Sequence, residues 1–275
     1  MKELVVLVKE RLSGAGNDNA QREAEWIVEA ATGLDRASLA ASQRTPTPDE
    51  ESMALRLMER RVNGEPLQYV TGVAGFRRLE LAVGPGVFIP RPESESLAGR
   101  AMELLPDGGI VVDIGTGSGA VALSIADERP DARVWATDLS AEALGWAERN
   151  REALGLEVQL LQADLFDGLD EALKGCIDVV VSNPPYVPAG FSLGSEVVDH
   201  EPHVALFADE SGLGIIEELL DRAKGWLNKP GWIVLEIGEV QRDAVMRLMQ
   251  DAGFGDVAVH DDLAGRPRIA ECRWS

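Results

Sequence analysis

The sequence predicts an α/β protein: a mostly parallel sheet with helices on both faces, ended by an antiparallel edge hairpin and preceded by a small helical bundle. Three observations carry this. Past residue 109, short β-branched runs alternate with helix-patterned segments, whereas the first seventy or so residues hold helical patterns and no strand-like run. The last two strand-like runs, "DVAVHDDL" and "RIAECRW", stand too close together for a helix between them, so they are expected to pair antiparallel at the sheet's edge.

Taken in order, "AQREAEWIVEAATGL" places Ala24, Trp26, Ile27, Ala30, Ala31 and Leu34 near one stripe of a helix with a buried face. "TPTPDEESMALRLMERRVNG" is punctuated at both ends. Thr47 and Glu50 fit a capping box, Pro48 the first helical position and Gly64 the stop, so a helix is expected over about 48 to 62. Residues 65 to 92 carry alternating apolar residues and Gly punctuation, and predict a β-hairpin between the two halves. Strands then occur at "GIVVDIG", with a helix from Ser118, and at "ARVWATD", with a helix from Ser140. "EVQLLQAD" and "IDVVVSN" come next, then a helix over about 212 to 227, "WIVLEIG", a helix over about 240 to 252, and the final strand pair. The expected domains are 1–68 (helical), 69–92 (hairpin linker) and 93–275 (sheet).

The chain of 275 residues is long enough to bury a sizeable core, and 45% hydrophobic content is ordinary for a globular protein. Lys and Arg number 26 against 47 Asp and Glu, a net charge of −21 that repels polyanions and argues against a direct grip on nucleic acid. The apolar run between Glu3 and Lys9 is too short for a signal peptide's core or a membrane span. Cys176 and Cys272 are isolated, with no CxxC spacing, and read as reduced thiols of a cytoplasmic protein. Three histidines, His200, His203 and His260, are too few for a typical zinc site, and Pro202 makes a loop of the first two, so no metal is expected.

"VVDIGTGSGAVALSIA" is a strand, a glycine-rich turn and a helix in succession. Gly115, Gly117 and Gly119, with Thr116 and Ser118 between them, let the backbone bend tightly and approach a ligand. The spacing is GxGxG, and there is no Walker Lys. Asp138 ends the next strand, where its side chain can accept from two ribose hydroxyls, and Asp164 ends the strand after that, where it can meet an adenine amino group. Asp113 and Asp138 crowd the turn with negative charge, and no Lys or Arg lies in it to greet a pyrophosphate. S-adenosylmethionine has a sulfonium, an amino group and no phosphate, and suits such a pocket better than NAD.

"VVVSNPPYVP", residues 179 to 188, runs a strand into Asn183, Pro184, Pro185 and Tyr186. The prolines stop the strand and stiffen the residues after it, at the end of a parallel sheet where ligands sit. An amide or aromatic amine nitrogen is a poor nucleophile because its lone pair is delocalised, so it needs positioning more than a base. The Asn183 side-chain oxygen and the Pro184 carbonyl can each accept one N–H of an NH2 group, and Tyr186 can stack on the planar group. No His or Cys beside the motif suggests covalent catalysis.

"DIGTGSG", "SNPPYVP", "FIPRPESE", the "EP" at 201 and 202, and "LAGRPR" together resemble the protein N5-glutamine methyltransferases of the PrmC/HemK family, over nearly the whole chain. That resemblance implies a class I S-adenosylmethionine-dependent methyltransferase, Rossmann-like with a seven-stranded sheet, whose partners are peptide-chain release factors methylated at the glutamine of a Gly-Gly-Gln loop. It implies that Gly115 to Gly119 and Asp138 hold the cofactor, that Asn183 orients the acceptor amide, and that Phe88, Pro90 and Arg91 close over the site. Phe88 can instead pack the hairpin onto the sheet, and Glu93 can simply begin the next helix. Where some members place a Trp next to the cofactor this chain has Leu165, and its loop from 189 to 211 carries an unusually acidic run. The main alternative is an adenine-N6 methyltransferase acting on DNA or RNA. It would share the NPPY chemistry but needs a phosphate-binding surface that the charge does not supply. A third reading, a non-catalytic nucleoside sensor, is opposed by the intact Asn183 and Tyr186.

Overall fold

The computed structural model describes all residues except 189, 192, 193 and 263. Five N-terminal helices, α1 (Lys2–Gly14), α2 (Ala20–Thr32), α3 (Arg36–Ala41), α4 (Pro48–Val62) and α5 (Leu67–Thr71), share one apolar cluster that includes Val8, Leu12, Ala24, Ile27, Val28, Ala54 and Met58. α4 starts on a complete capping box: Thr47 Oγ1 accepts from Glu50 N at 3.2 Å, and the Glu50 carboxylate accepts from Thr47 N at 2.8 Å.

α2 corrects the expected stripe. Its buried face is Ala20, Glu23, Ala24, Ile27 and Val28, spaced as one helical face, with Ala31 and Leu34 half-buried behind it. Trp26 and Ala30 stand four apart on the outer side; Trp26 is 39% exposed, its ring under the Arg22 guanidinium. The Glu23 on the buried face is paired with Arg61 of α4 at 2.6 Å, and Arg61 also meets Glu196 at 3.1 Å.

The hairpin is shorter than expected. Residues 67–71 are the helix α5, stopped by Gly72 in the left-handed region. The two-stranded sheet is β1 (Val73–Phe76) and β2 (Leu79–Ala82), and 83–92 holds turns and no strand. Pro85, Pro90 and Pro92 lack the N–H that a ladder needs.

Beyond the hairpin the elements are α6 (Ser94–Leu104), β3 (Ile110–Ile114), α7 (Ala120–Glu128), β4 (Arg133–Asp138), α8 (Ala141–Leu154), β5 (Val158–Gln162) and β6 (Ile177–Ser182). Then come the short helices α9 (Ser195–Val198) and α10 (His203–Leu206), α11 (Gly214–Ala223), β7 (Leu227–Glu236), α12 (Arg242–Asp251), β8 (Gly255–Asp261) and β9 (Pro267–Trp274). Seven strands form one sheet in the order β5-β4-β3-β6-β7-β9-β8, parallel except for β9, which runs antiparallel to both its neighbours. The final pair therefore sits at the edge with β9 inserted between β7 and β8. The chain packs into two compact units, the N-terminal helices up to Val73 together with α9, and the sheet unit.

β3 is buried throughout, as a central parallel strand covered on both faces must be. Order reverses at β3, which pairs with β4 on one side and β6 on the other, so a crevice opens beyond the carboxyl ends of these strands. α8 begins on Ser140, whose Oγ accepts from Ala143 N at 3.2 Å. Cys272, buried in β9, has its thiol pKa pushed up by desolvation, and Cys176 is exposed; neither is in a disulfide. Among the described residues no helix is long and apolar enough to cross a membrane.

Candidate active site

The turn after β3 is a backbone device. Gly115, Gly117 and Gly119 have φ of 74°, 58° and 85°, the left-handed region that side chains other than glycine resist. Gly115 N and Thr116 N both donate to Thr137 O, at 2.8 and 3.0 Å, which ties the turn to the end of β4. A Cβ on Gly115 would meet no atom within 4 Å, so this position faces open space. A Cβ on Gly119 would lie 2.8 Å from Leu123 Cδ1 and 3.4 Å from Ala147 Cβ. Gly119 thus serves the packing of α7 and α8, while Gly115, Thr116, Gly117 and Ser118 line the cavity.

Two acids brace this turn. Asp138 Oδ2 accepts from Gly117 N at 2.8 Å and its Oδ1 from Ser140 N at 2.9 Å. An ionised carboxylate offers about four lone-pair sites, so each oxygen keeps acceptor capacity toward the cavity. Burial raises the Asp138 pKa, and the two amide bonds pull it back. Asp113 Oδ2 accepts from Thr116 Oγ1 at 2.6 Å and from Ala122 N at 3.2 Å. Full desolvation pushes its pKa up to about 7 despite these bonds.

A raised pKa makes Asp113 a stability statement. In the unfolded chain an aspartate titrates near about 4, so between there and about 7 the unfolded state ionises first and stability falls as pH rises. Above pH 7 the penalty is complete. Asp113→Asn is therefore expected to melt higher than wild type at pH 8, the difference closing as pH drops toward 4 or so. Parallel melting-temperature curves across that range would count against a buried, elevated Asp113.

The crevice encloses a cavity of about 400 Å³. Asp113, Gly115, Thr116, Gly117, Ser118 and Asp138 form one wall, and Asp164 and Leu165 after β5 a second. Leu165 takes φ of 52°, and its carbonyl accepts from Thr137 Oγ1 at 2.9 Å, so a strained aliphatic residue closes this wall. Asn183, Pro184, Pro185, Tyr186, Phe88 and Pro90 line the other end. Among the described residues the lining holds four carboxylates, Asp113, Asp138, Asp164 and Glu218, and no Lys, Arg or His. This donor set fits a cationic, phosphate-free nucleoside, with glycine backbone where it must come close.

Arg91 does not line the cavity. Its guanidinium pairs with the Glu201 carboxylate and lies 4.7 Å from the centre of the Phe88 ring. Glu201 is buried and accepts from Ile89 N at 3.1 Å, so the "FIPRP" segment is held in place by the acid of the "EP" pair. Glu93 precedes α6 and lies 3.5 Å from Arg266. Residues 189, 192 and 193 of the acidic loop lie outside the described residues, as does 263 of "LAGRPR".

Several residues that position the site carry no motif of their own. Asn150 of α8 accepts from Ala82 N at 2.7 Å and donates to Ala82 O and Ser118 O at 3.1 and 2.9 Å, joining β2 to the glycine turn. Ser94 Oγ accepts from Asn183 Nδ2 at 3.2 Å and donates to Glu236 Oε2 at 2.5 Å. Glu236 Oε1 accepts from Tyr186 Oη at 3.4 Å, and Arg268 donates to the same phenol oxygen at 3.3 Å. Burial, helped by the Glu236 charge, pushes the Tyr186 pKa up to about 12, so its phenol stays neutral. The one signal in the sequence is the acid inside the apolar run "WIVLEIG", a buried charge that must have partners.

The family model for the PrmC N-terminal domain matches residues 3–72, and that for the methyltransferase small domain matches 95–200. A methyltransferase from Pyrococcus furiosus superposes with a TM-score of 0.54 at 22% identity, over 71% of this chain and 88% of its own. A T. thermophilus 16S rRNA methyltransferase, solved with AdoMet and guanosine, does so with 0.55 at 20%, over 74% of this chain and 50% of its own. The sheet order, the glycine turn and the acid-lined crevice define a class I S-adenosylmethionine-dependent methyltransferase. Release factor glutamine methyltransferases of Streptomyces coelicolor (40% identical, 98% of this chain and 96% of theirs) and Mycolicibacterium smegmatis (41%, 94% and 92%) align along nearly their whole length. The chain belongs to the release factor glutamine methyltransferase family.

Proposed function

We propose that this protein transfers a methyl group from S-adenosylmethionine to the side-chain amide nitrogen of the glutamine in the Gly-Gly-Gln loop of peptide-chain release factors, in the cytoplasm. The observation that carries the reading is the orientation of Asn183 at the cavity wall. Its Nδ2 is taken by Ser94, and its Oδ1 accepts no hydrogen bond among the described residues. An acceptor is thereby presented where a planar NH2 must be held.

Bound in the crevice, S-adenosylmethionine supplies an electrophilic methyl group on a sulfonium. Gly115 to Ser118 would give it a close backbone wall, Asp138 would accept from ribose hydroxyls, Asp164 from the adenine amino group, and Leu165 would offer apolar contact in place of a stacking ring. Asn183 Oδ1 and the Pro184 carbonyl each accept one N–H of the glutamine amide and turn its lone pair toward the donor. Tyr186 lies against the amide plane, its phenol held between Arg268 and Glu236. Alignment of this kind can supply up to roughly 7–11 kcal/mol. As the nitrogen takes the methyl, the S–CH3 bond breaks to leave a neutral thioether and the surplus N–H proton passes to water, so no residue has to act as a base. Phe88 and Pro90 close the acceptor side, while Arg91 and Glu201 hold the segment that carries them.

The test is transfer itself. Labelled S-adenosylmethionine and a release factor are incubated with the protein, and the modified residue is mapped by mass spectrometry. Label on the glutamine amide nitrogen of the Gly-Gly-Gln loop is expected. Label on adenine of added DNA or RNA, with none on the release factor, would overturn the reading.

A further inference from the structure

An asparagine side chain keeps its shape when its amide is turned over, yet only one end can serve here. With Nδ2 toward the acceptor, donor would face donor. Something must therefore set the polarity of Asn183. We propose that Ser94 and Glu236 are positioning residues that fix Asn183 with Oδ1 toward the acceptor amide; this rests on Asn183 being the amide-orienting residue.

Donor and acceptor counts decide the direction. An ionised carboxylate accepts only, and a serine hydroxyl has one hydrogen to give. The Ser94 hydrogen goes to Glu236 Oε2 at 2.5 Å, which leaves Ser94 Oγ only acceptor capacity for Asn183 at 3.2 Å. Asn183 must then present Nδ2 to Ser94, and its oxygen is left pointing elsewhere. The other Glu236 oxygen takes the Tyr186 hydroxyl at 3.4 Å. Glu236 is thus where two donor chains end, one from Asn183 through Ser94 and one from Arg268 through Tyr186.

The setting makes this polarity hard to reverse. Ser94, Glu236 and Arg268 are 4%, 2% and 8% exposed, so bulk water does not supply substitute partners. Arg268 forms no ion pair among the described residues; its guanidinium faces Glu236 across the Tyr186 oxygen and bonds the Ile237 carbonyl at 3.1 Å. Burial, with the Glu93 charge, raises the Glu236 pKa, and the Ser94 and Tyr186 hydrogen bonds and the Arg268 charge act against that rise; the polarity described here belongs to the ionised carboxylate. A carboxylate buried at the end of β7 is costly, and an apolar side chain would serve packing alone better. Here it orients both polar side chains of the NPPY motif at once. The partners come from α6, β7, β9 and the β6 exit, four separate parts of the chain.

The experiment uses the full chain in wild type, Ser94→Ala, Ser94→Thr and Glu236→Gln forms, with Asn183→Asp for assignment. Methyl transfer to a release factor gives kcat and KM, calorimetry gives S-adenosylmethionine affinity, and nitrogen-15 NMR follows the Asn183 side-chain NH2 in the free protein, assigned by its loss in Asn183→Asp. Ser94→Ala is expected to lower kcat by roughly 10- to 100-fold, the range seen when partners that orient a ligating group are removed. Cofactor affinity should not change, the Asn183 NH2 should lose protection from solvent exchange, and Ser94→Thr should recover much of the rate.

Glu236→Gln keeps the volume but can donate to Ser94, so it too should lower kcat and broaden or shift the Asn183 NH2 signal. A purely structural role predicts tolerance of this isosteric change. It carries the test if Ser94→Ala does not fold. Wild-type kcat and an unmoved Asn183 signal in these variants would overturn the proposal, as would cofactor affinity falling in step with kcat. Should wild type transfer nothing to a release factor while the Asn183 signal still responds to Ser94→Ala and Glu236→Gln, the polarity device stands and the substrate assignment falls.

Discussion

Asn183→Ala is expected to lower turnover by roughly 10²–10³, as the loss of one preorganised polar contact does elsewhere, while affinity for S-adenosylmethionine stays close to that of wild type. The side chain lines the cavity at the end of β6, where Pro184 and Pro185 keep the backbone from relaxing around the change. In the proposed role, truncation removes the Oδ1 acceptor and leaves the Pro184 carbonyl to hold the amide alone. The glutamine then rotates, and its lone pair spends most of its time off the line of transfer. Single-turnover transfer to a release factor, read beside calorimetric cofactor binding, separates the two effects. Were cofactor affinity to collapse while the rate at saturation held, Asn183 would belong to the cofactor's site and not to the acceptor's.

Asp138→Ala should do the reverse. Cofactor binding is expected to weaken by roughly 1.5–3 kcal/mol, the range for a hydrogen bond to a charged group, which is roughly 10- to 150-fold in dissociation constant. Turnover at saturating cofactor should stay near wild type. The geometry sharpens this expectation. Asp138 also receives the Gly117 and Ser140 amides, so its removal loosens the glycine turn, which Thr137 O still ties to the end of β4, as well as deleting the proposed ribose contact. Asp138→Asn keeps a carbonyl for only one of those two amides, and should fall between wild type and the alanine variant in cofactor affinity. Equal affinity in all three would remove Asp138 from the cofactor site.

The parts legible in the sequence are those decided by neighbours along the chain. The capping box at Thr47 and Glu50 spans one helical turn, and the glycines at 115, 117 and 119 announce left-handed backbone between a strand and a helix. Strand-end acids follow from the periods of the strands themselves. In α2 the same local logic slipped by one face, because apolar content alone does not say which side of a helix meets the core; Glu23, paired with Arg61, lies inside while Trp26 lies out. The grouping of α9 with the N-terminal helices had no local signature either.

By itself, then, the chain's residue order determined the alternation of strands and helices, the cradle for a phosphate-free nucleoside and the NPPY shelf, since each is written within a few consecutive residues. Only the folded arrangement decided that Arg91 holds Glu201 instead of lining the cavity, that Gly119 packs helices, and that Ser94 and Glu236 govern Asn183. Those partners lie 110 residues apart in the first case and 142 between Ser94 and Glu236. Hydrogen-bond polarity passes through space, from oxygen to nitrogen across elements that meet only when the sheet closes, and no spacing along a sequence encodes it.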